Sequence, residues 1–480
     1  MLFSSTLFLF FSLPLILIIY YLSPKIFKNT ILLVFSLFFY IFSSSDFILI
    51  LLLSIFINSF MAIIIAQSKN KRGFFLTLGL LVNLGVLFHY KYLGFFFGSI
   101  VNPLRTSLNF PVVELPAIVV PLALSFYTFH ALSYLIDVYK TKVEPAKSIL
   151  SLSLYFLLFP HLIAGPIVRF GDISGQITNR IHSLTNFSYG VTRFIVGLAK
   201  KVLIADILAD VVDEIFNIPP QYMNIETAWL GIICFSLQLY FDFSGYTDMA
   251  IGLALMFGFK FPENFNYPYI SSSIREFWTR WHITLSNWLR DYLYYPLALK
   301  WAKGSKIKIY LSLLITFLLI GLWHGANWTF VVFGAIQGLA LIIESIKGGV
   351  LFNKLPRVLK HLYFLLVITV SWVFFRSESV GYAIEYLKRL FLDFNPPPIQ
   401  FRPTDFFLTN ERLLALILGI FICTSFFKVI INKLNFENIN FLLFKFTYQS
   451  LKLTYLLILL VLSMLYVSGQ TYRPFIYFKF

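Results

Sequence analysis

The chain has 480 residues, of which 59% are hydrophobic and only 12% are charged. Soluble proteins carry about 25% charged residues, so this composition excludes an ordinary soluble domain and indicates a protein that crosses a membrane several times. The formal net charge of +16 does not indicate nucleic-acid binding, because the sequence has no soluble basic domain and basic residues in membrane proteins mark cytoplasmic loops.

Apolar stretches follow one another from the start of the chain to its end. Because a span needs about 20 residues, we predict about ten to twelve spans. No internal repeat and no soluble segment longer than a loop stands out, so residues 1–480 are predicted to form a single membrane domain. The first stretch has no basic residue before its apolar run and no small-residue cleavage site after it, so we expect an uncleaved helix.

Basic residues in the first loops predict the orientation of the protein. Lys25 and Lys28 follow the first predicted span, and Lys69, Lys71 and Arg72 follow the third. Both loops then lie on the same side of the membrane, which the positive-inside rule makes the cytoplasmic side. The sequence therefore predicts that the N-terminus lies outside the cytoplasm.

The middle of the chain differs from both ends, because its apolar runs are repeatedly interrupted. The interruptions between residues 158 and 308 are Pro160, Gly165-Pro166, Lys200-Lys201, Pro219-Pro220, Pro262 and Pro268. Spans in this region must be short, tilted or re-entrant, and irregular backbone at membrane depth is tolerated only where protein buries it or water fills a cavity. We therefore predict an all-α polytopic membrane fold with a cavity at its centre.

Two carboxylates interrupt one long apolar stretch. Asp242 and Asp248 lie in the motif FDFSGYTD, together with Tyr246. An intramembrane carboxylate costs about 2.5–3.5 kcal/mol on insertion scales and normally faces a partner or a wet cavity. Asp242 and Asp248 are therefore expected to face a partner or a wet cavity. The structural alternative is that the carboxylates pair with an arginine or cap a helix that breaks near Gly245.

The stretch SIREFWTRWHITLSNWLRDYLYYP, residues 273–296, predicts one amphipathic helix at the membrane interface. Ser273 is the predicted N-cap, with Glu276 three residues further on, and the closing proline ends the helix. Trp281 lies on the apolar stripe and His282 at its border. A histidine at such a border is either an interface anchor or a catalytic residue.

The motif GLWHGANW, residues 321–328, places His324 near a break between two apolar segments. Gly325 and Asn327 loosen the chain at this break, and the small residues around it allow another backbone or a substrate to approach closely. A core histidine bonded to a carbonyl is the alternative. The surroundings of His324 in the sequence favour a reaction site, because few polar residues occur in a chain this poor in charge. The same part of the chain contains a second histidine, flanking tryptophans such as Trp323, buried carboxylates and arginines.

A neutral imidazole in such a site can take a proton from an alcohol while the alcohol attacks an acyl carbon. The sequence has no nucleophile elbow and no thiol near a histidine, so direct transfer is simpler than a covalent intermediate. Metal-ligand spacings and nucleotide-binding glycine motifs are also missing from the sequence, which argues against a metal ion, ATP or NAD.

These motifs together resemble the membrane-bound O-acyltransferase family, in its bacterial alginate O-acetyltransferase branch. The resemblance rests on the region from FDFSGYTD through GLWHGANW, on LIAGPIVRF at residues 162–170 and on the C-terminal FIYFKF, and it covers essentially the whole chain. It implies a ring of membrane helices around a thinned centre, with short, tilted and re-entrant helices and a funnel from each face that meets at a histidine.

The resemblance also implies roles for individual residues. His324 matches the histidine at which the funnels meet, acting as general base or positioning group, and His282 matches the second histidine of the family. The residues expected to line the tunnel are Asp242, Tyr246, Asp248, Trp281, Arg290, Trp323 and Asn327.

The family chemistry implies an acyl group that arrives from a cytoplasmic thioester, acetyl-CoA for this branch, without a bound cofactor. Arg275 and Arg290 on the basic edge of the amphipathic helix suit the anionic phosphopantetheine part of such a donor. The acyl group then leaves on the far side of a bacterial inner membrane, onto a polysaccharide hydroxyl or a periplasmic partner acyltransferase. The alternatives are acylation of peptidoglycan, D-alanyl transfer to teichoic acid, and a transporter that uses the carboxylates and histidines as a proton or ion pathway.

Overall fold

The computed structural model describes residues 3–392, 402–426, 442–469, 473 and 475. Every regular element in these residues is a helix, which confirms the all-α prediction. Of the C-terminal motif FIYFKF, residues 476–480 lie outside the described part of the chain.

The α-helices of the described residues are α1 (Leu13–Leu22), α2 (Lys28–Ser44), α3 (Ile48–Gln67), α4 (Arg72–Leu87), α5 (Leu93–Phe96), α6 (Asn102–Ser107), α7 (Leu124–Tyr139), α8 (Ile149–Leu157), α9 (Phe159–Leu162), α10 (Phe170–Thr178), α11 (Leu184–Ala199), α12 (Asp206–Phe216), α13 (Ile225–Met256), α14 (Ile274–Arg280), α15 (Ile283–Leu289), α16 (Lys306–His324), α17 (Trp328–Ser345), α18 (Val350–Asn353), α19 (Arg357–Arg376), α20 (Val380–Phe391), α21 (Asn410–Ile422) and α22 (Leu442–Gly469). Short π-helical segments extend several of them: Phe8–Ser12, Phe88–Tyr92, Phe97–Val101, Lys200–Ala205, Arg290–Tyr294 and Pro296–Trp301. Single 3-10 turns lie at Lys25–Phe27, Ser45–Phe47, Pro220–Tyr222, Pro268–Ile270, Ile346–Gly349 and Thr404–Phe407.

Several helical segments are long and apolar enough to cross a bilayer, which confirms a multi-pass membrane protein. Within the described residues these are Lys25–Gln67, Arg72–Ser107, Lys306–His324, Trp328–Ser345, Arg357–Arg376 and Gln449–Gly469. The stretch Phe8–Leu22 is apolar but shorter. The total of about ten to twelve spans stays a prediction, because it also counts short and interrupted helices.

The chain divides into two compact units, Met1–Val191 with Ala250–Pro262, and Thr192–Met249 with Glu263–Phe480. In the first unit, α3, α4 and α7 pack together. Asn58 and Asn83 exchange two side-chain hydrogen bonds between α3 and α4, of 3.0 and 2.9 Å. This exchange satisfies two amides at a helix contact in which each would otherwise face apolar surroundings.

In the second unit, α16 and α17 form an antiparallel hairpin whose contact depends on glycine. A Cβ atom on Gly321 would lie 2.1 Å from the carbonyl oxygen of Phe330, and one on Gly334 would lie 2.3 Å from that of Phe317. The two backbones therefore touch directly, as small residues allow in membrane helices. The sequence prediction of a close backbone approach at Gly321 is confirmed.

A chain of hydrogen bonds fixes α14 and α19 to the middle of α17. The indole nitrogen of Trp278 donates to Oε1 of Gln337 at 2.9 Å, and Nε2 of Gln337 donates to Oγ of Ser371 at 2.8 Å. All three side chains are buried. The amide of Gln337 thus joins two neighbouring helices to α17 through groups that are otherwise costly to bury.

The prediction of one amphipathic helix over residues 273–296 was wrong in two respects. The chain breaks at Trp281-His282, where His282 has a φ of 43°, and it continues in π-helical form beyond Pro296 to Trp301. The break has a tertiary cause, because backbone groups that would bond to each other within one helix bond instead to residues 264–266. The N–H of Asn266 donates to the carbonyl of Arg280 at 2.9 Å, and the N–H of Ile283 donates to that of Asn264 at 3.0 Å.

Both ends of this segment follow simple backbone chemistry. The hydroxyl of Ser273 accepts from the N–H of Glu276 at 3.0 Å, which confirms Ser273 as the N-cap. Pro296 lies between the π-helical segments Arg290–Tyr294 and Pro296–Trp301, and the chain stays helical on both sides of it. A proline at this position therefore does not end the helical path of the chain.

Candidate active site

His324 is the last residue of α16 and lies in an aromatic cluster of the second unit. Its ring centroid is 4.9 Å from that of Trp323, 5.1 Å from that of Phe375 and 5.7 Å from that of Phe333. The histidine is only 4% exposed. The chain leaves the helix at Gly325 and begins α17 at Trp328, so the predicted break between two membrane segments is confirmed.

A cavity of about 640 Å³ begins next to this histidine. Its wall includes Gly325, the residue after His324, and Phe375, whose ring contacts the imidazole. Asn327 also belongs to the wall, and its side chain caps α17 and donates to the carbonyl of Glu378 at 3.1 Å. Among the predicted tunnel residues, Asn327 therefore lines a cavity, and it is three residues from His324 in the chain.

Other residues that line this cavity are polar. Gln238 of α13 lines it, and Arg376 forms an ion pair of 3.0 Å with Asp213. Arg473 also donates to Asp213, at 3.3 Å. The sequence did not single out these residues, although Arg376, at the end of an apolar helix, is the type of residue that marks an interface. Such a wall suits a hydroxyl-rich ligand, because it offers both charged and amide groups.

His282 belongs to the same aromatic cluster as His324. Its ring is fully buried and lies 4.6 Å from that of Phe243 and 6.1 Å from that of Trp323. The indole of Trp323 therefore lies within ring-contact distance of both histidines. The sequence predicted a shared site for His282, His324 and Trp323, and the fold brings the three together.

The electrostatic state of His282 follows from its burial. The residue lies in the break between α14 and α15, outside the membrane-spanning helices. Desolvation disfavours the imidazolium and lowers the pKa of His282 from 6.5 to about 3. The ring is therefore neutral near neutral pH, which is the form that accepts a proton.

Trp281 has a packing role next to His282. It is 1% exposed, stacks on Phe277 at 5.4 Å and contacts Trp372 at 5.3 Å. Trp372 in turn stacks on Phe333, which contacts His324. A continuous aromatic layer thus supports both histidines, and its side chains restrict where their rings can move.

The two carboxylates of α13 are both held in ion pairs. Asp248 accepts from Arg193 at 2.9 Å and from Lys200 at 2.7 Å. Lys201 lies 2.8 Å from Asp242 and 2.6 Å from Asp206. The structural alternative of pairing with an arginine is thus confirmed for Asp248, whereas Asp242 pairs with a lysine. The adjacent lysines at positions 200 and 201 were the sequence signal from which these ion pairs could have been predicted.

The second structural alternative, a helix break near Gly245, was wrong, since α13 runs from Ile225 to Met256 without interruption. Gly245 instead allows two helices to cross. A Cβ atom on it would lie 2.7 Å from the carbonyl oxygen of Gly197 in α11. Tyr246, next along the chain, is buried with its ring 4.9 Å from that of Phe475 in the C-terminal segment.

The other end of α17 adjoins a second cavity, of about 370 Å³. Glu344 accepts from the backbone N–H groups of Ile274 and Arg275 at 2.6 and 3.0 Å, so it caps α14. Arg275 and Lys360 both line the cavity, and Arg275 donates to Ser345 at 2.6 Å. Because α17 has 18 residues, its two ends are about 27 Å apart, roughly a bilayer core.

Of the two arginines predicted to hold a donor, the structure places Arg275 at this second cavity. Arg290 is about half exposed and pairs with the adjacent Asp291 at 3.0 Å. Its guanidinium also lies over the ring of Tyr295, 5.9 Å from the ring centroid. Both arginines are exposed, and they differ in their surroundings, because Arg275 lines a cavity whereas Arg290 pairs with its neighbour in the chain.

Fold and site together define an all-helical, multi-pass membrane protein with two buried histidines in one aromatic cluster and a cavity at either end of a membrane helix. The model for MBOAT, the membrane-bound O-acyltransferase family, matches residues 124–349, which include both histidines. The chain is also 43% identical to the probable alginate O-acetylase AlgI of Azotobacter vinelandii, over 82% of this chain and 78% of that protein. The chain belongs to the membrane-bound O-acyltransferase family.

Two further relatives show how far the similarity extends. The probable alginate O-acetylase AlgI of Pseudomonas putida is 38% identical over the full length of both chains. The peptidoglycan O-acetyltransferase of Helicobacter pylori is 36% identical over 81% of this chain and 79% of that protein. The family thus makes the protein an O-acyltransferase that uses an acyl donor.

Proposed function

We propose that the protein O-acetylates an exopolysaccharide of the alginate type, using acetyl-CoA from the cytoplasm. The similarity to proteins called probable alginate O-acetylase supports this substrate. The observation that carries the proposal is the pair of buried histidines that both lie within ring-contact distance of Trp323, with a polar cavity that reaches Gly325. The acetyl group reaches the polymer directly or through a periplasmic partner acyltransferase.

His324 is the proposed general base. The acceptor hydroxyl gives its proton to the imidazole while its oxygen attacks the thioester carbonyl carbon, and the CoA thiolate leaves and takes up a proton. His282 is the second catalytic candidate, since its neutral ring lies beside the same indole. The predicted tunnel residues Asp242, Tyr246, Asp248 and Trp281 would then form the supporting wall through their ion pairs and ring contacts.

The donor enters, in this proposal, at the cavity that contains Arg275 and Lys360. Two cations suit the phosphates of CoA. Lys306 and Arg357, which begin α16 and α19, also lie at this end of the hairpin, and basic residues favour the cytoplasmic side. The cavity beside Asn327 then faces the periplasm. The proposal further includes a single domain in a bacterial inner membrane, with its N-terminus outside the cytoplasm and a funnel from each face.

The test uses purified protein in detergent with labelled acetyl-CoA and alginate oligomers. His324→Ala should lower the transfer rate by about 10²–10⁴-fold, the usual contribution of a general base. His89→Gln is the matched control, because this exposed histidine lies in the first unit, outside the site. A His324→Ala variant that folds normally and keeps the wild-type rate would overturn the role of this residue.

Peptidoglycan is the second candidate acceptor, because the Helicobacter pylori relative is called a peptidoglycan O-acetyltransferase. The same assay distinguishes the two acceptors when alginate oligomers and peptidoglycan fragments are offered separately. Label on peptidoglycan alone would replace the alginate proposal, and label on neither polymer, with transfer to a periplasmic protein, would identify the partner as the direct acceptor. D-alanyl transfer to teichoic acid is tested by supplying a D-alanyl thioester.

A further inference from the structure

The geometry around His282 points to Asn264 as a positioning residue that selects which ring nitrogen of this histidine carries the proton. We infer that Asn264 holds His282 with hydrogen on Nδ1 and a bare lone pair on Nε2. The inference rests on the proposed acyl transfer for its functional meaning, since a base needs an available lone pair. Its chemical content, the tautomer, is measurable without any reaction.

The orientation of the Asn264 amide follows from its partners. Its Oδ1 atom faces the backbone N–H of Thr284 at 3.1 Å, and the hydroxyl of Thr284 at 2.9 Å. A backbone N–H can only donate, so the atom that faces it is the amide oxygen and not the amide nitrogen. Nδ1 of His282 lies 3.1 Å from the same oxygen. Because an amide oxygen only accepts, Nδ1 must carry the hydrogen.

The other ring nitrogen is then fixed as well. A neutral imidazole has one N–H group, so hydrogen on Nδ1 leaves Nε2 as an acceptor. Nε2 is buried and has no hydrogen-bond partner among the described residues. The rings beside His282 belong to Phe243 and Trp323, neither of which ionises. Burial of both His282 and Asn264 keeps water from competing for the Nδ1 hydrogen bond.

Asn264 also holds the backbone of the histidine. Its carbonyl accepts from the N–H of Ile283 at 3.0 Å, the residue after His282. His282 has a φ of 43°, a conformation that is strained for a residue other than glycine and persists only where surrounding contacts impose it. Main-chain and side-chain bonds from one asparagine thus fix both the path of the chain and the face of the ring.

The tautomer matters because the reverse arrangement would present an N–H group where a lone pair is needed. In serine protease triads, a change that leaves the histidine in place but favours the wrong tautomer lowers kcat by about 10⁴-fold. Asn264 serves the same purpose here without a charge. An uncharged acceptor has a further consequence, since it does not favour the imidazolium as a carboxylate does.

The experiment compares Asn264→Leu, Asn264→Asp and Thr284→Val with the wild type in detergent, using two measurements. Nitrogen-15 NMR of ring-labelled histidine, with His282→Gln to assign the signal, identifies the protonated nitrogen. Transfer rates across a range of pH report the function. Thr284→Val removes one bond to the same oxygen without touching the imidazole, and it should keep the Nδ1–H tautomer.

Asn264→Leu should lose the single tautomer and lower kcat by at least about tenfold, with a smaller change in KM, because kcat reports a group that acts in the transition state. Asn264→Asp should keep hydrogen on Nδ1 and restore activity above neutral pH, while the acid limb of its profile moves up by about 1–3 pH units, the effect of a nearby carboxylate.

An unchanged tautomer in Asn264→Leu, or an Asn264→Asp profile that superimposes on that of the wild type, would overturn the inference. Equal loss of activity in Asn264→Leu and Thr284→Val with an unchanged tautomer would assign Asn264 to packing alone. A wild-type protein that transfers no acetyl group would overturn the proposed function instead, and the NMR measurement would still decide the tautomer.

Discussion

Replacement of Gly321 by alanine tests whether the α16–α17 contact positions His324. The added Cβ would lie 2.1 Å from the carbonyl oxygen of Phe330, which is 0.9 Å short of the 3.0 Å that real Cβ contacts reach. The obstacle is backbone of the facing helix, so no side-chain rotation relieves it. The two helices must separate by about that 0.9 Å, three residues before His324.

The expected effects on stability and activity differ in size. Overpacking costs about 1–3 kcal/mol, and alanine in a helix recovers about 1 kcal/mol relative to glycine. The free energy of unfolding should therefore fall by only about 0–2 kcal/mol. A misplacement of about 1 Å can cost about 10²-fold in rate, so the transfer rate should fall much more than the stability does.

Thermal unfolding in detergent and the acetyl-transfer assay measure the two effects on one preparation. Gly85→Ala is the matched control, because a Cβ there meets nothing within 4 Å. Gly334→Ala repeats the test from the facing helix, with an expected contact of 2.3 Å to the carbonyl oxygen of Phe317. A Gly321→Ala variant with the wild-type rate would show that helix separation does not control the position of His324.

Three further predictions concern the charged and titrating groups. Lys201→Met leaves the carboxylate of Asp242 without its cation, and breaking a buried pair costs about 3–5 kcal/mol, so the thermal midpoint should fall sharply; an unchanged midpoint would contradict this. Arg275→Ala should raise KM for acetyl-CoA by at least about tenfold, since a charge-assisted hydrogen bond contributes about 1.5–3 kcal/mol. Arg290→Ala should change KM less, and the reverse order would place the donor elsewhere. Because the pKa of His282 is 6.5 when exposed and about 3 when buried, the unfolded chain binds an extra proton at this residue between these values. This residue should therefore lower the stability on acidification through that window by about 1.36 kcal/mol per pH unit; in urea unfolding, the pH dependence of His282→Gln should be weaker than that of the wild type by this amount, and an equal pH dependence would contradict this.

Features with local signals could be predicted from the sequence. The composition predicted a membrane protein. The motif in which a histidine and a glycine follow an apolar helix predicted the break at His324. The N-cap at Ser273 has a side chain that bonds a backbone group three residues away. In each case the interaction that decides the structure involves residues close in the chain.

Features decided by distant partners could not be predicted. Gly245 suits a helix break as well as a helix crossing, and only the position of Gly197 on another helix selects the crossing. The pattern of residues 273–296 favours one continuous helix, but the backbone of Asn264 and Asn266 takes over its hydrogen bonds. Asn264 itself carries no motif that distinguishes it from any loop asparagine, so its contact with His282 was not foreseen.

The hydrogen bonds of the Gln337 amide restrict which parts of the enzyme can move when it admits its donor. Trp278 and Ser371 bond to opposite ends of that one side chain, in surroundings where no solvent can take the place of a lost partner. If α17 slid past α14 and α19, Trp278 and Ser371 would both lose their hydrogen bond to Gln337. We therefore expect these three helices to stay in fixed register through the catalytic cycle, and the motion that opens and closes the enzyme to occur in the connections at their ends.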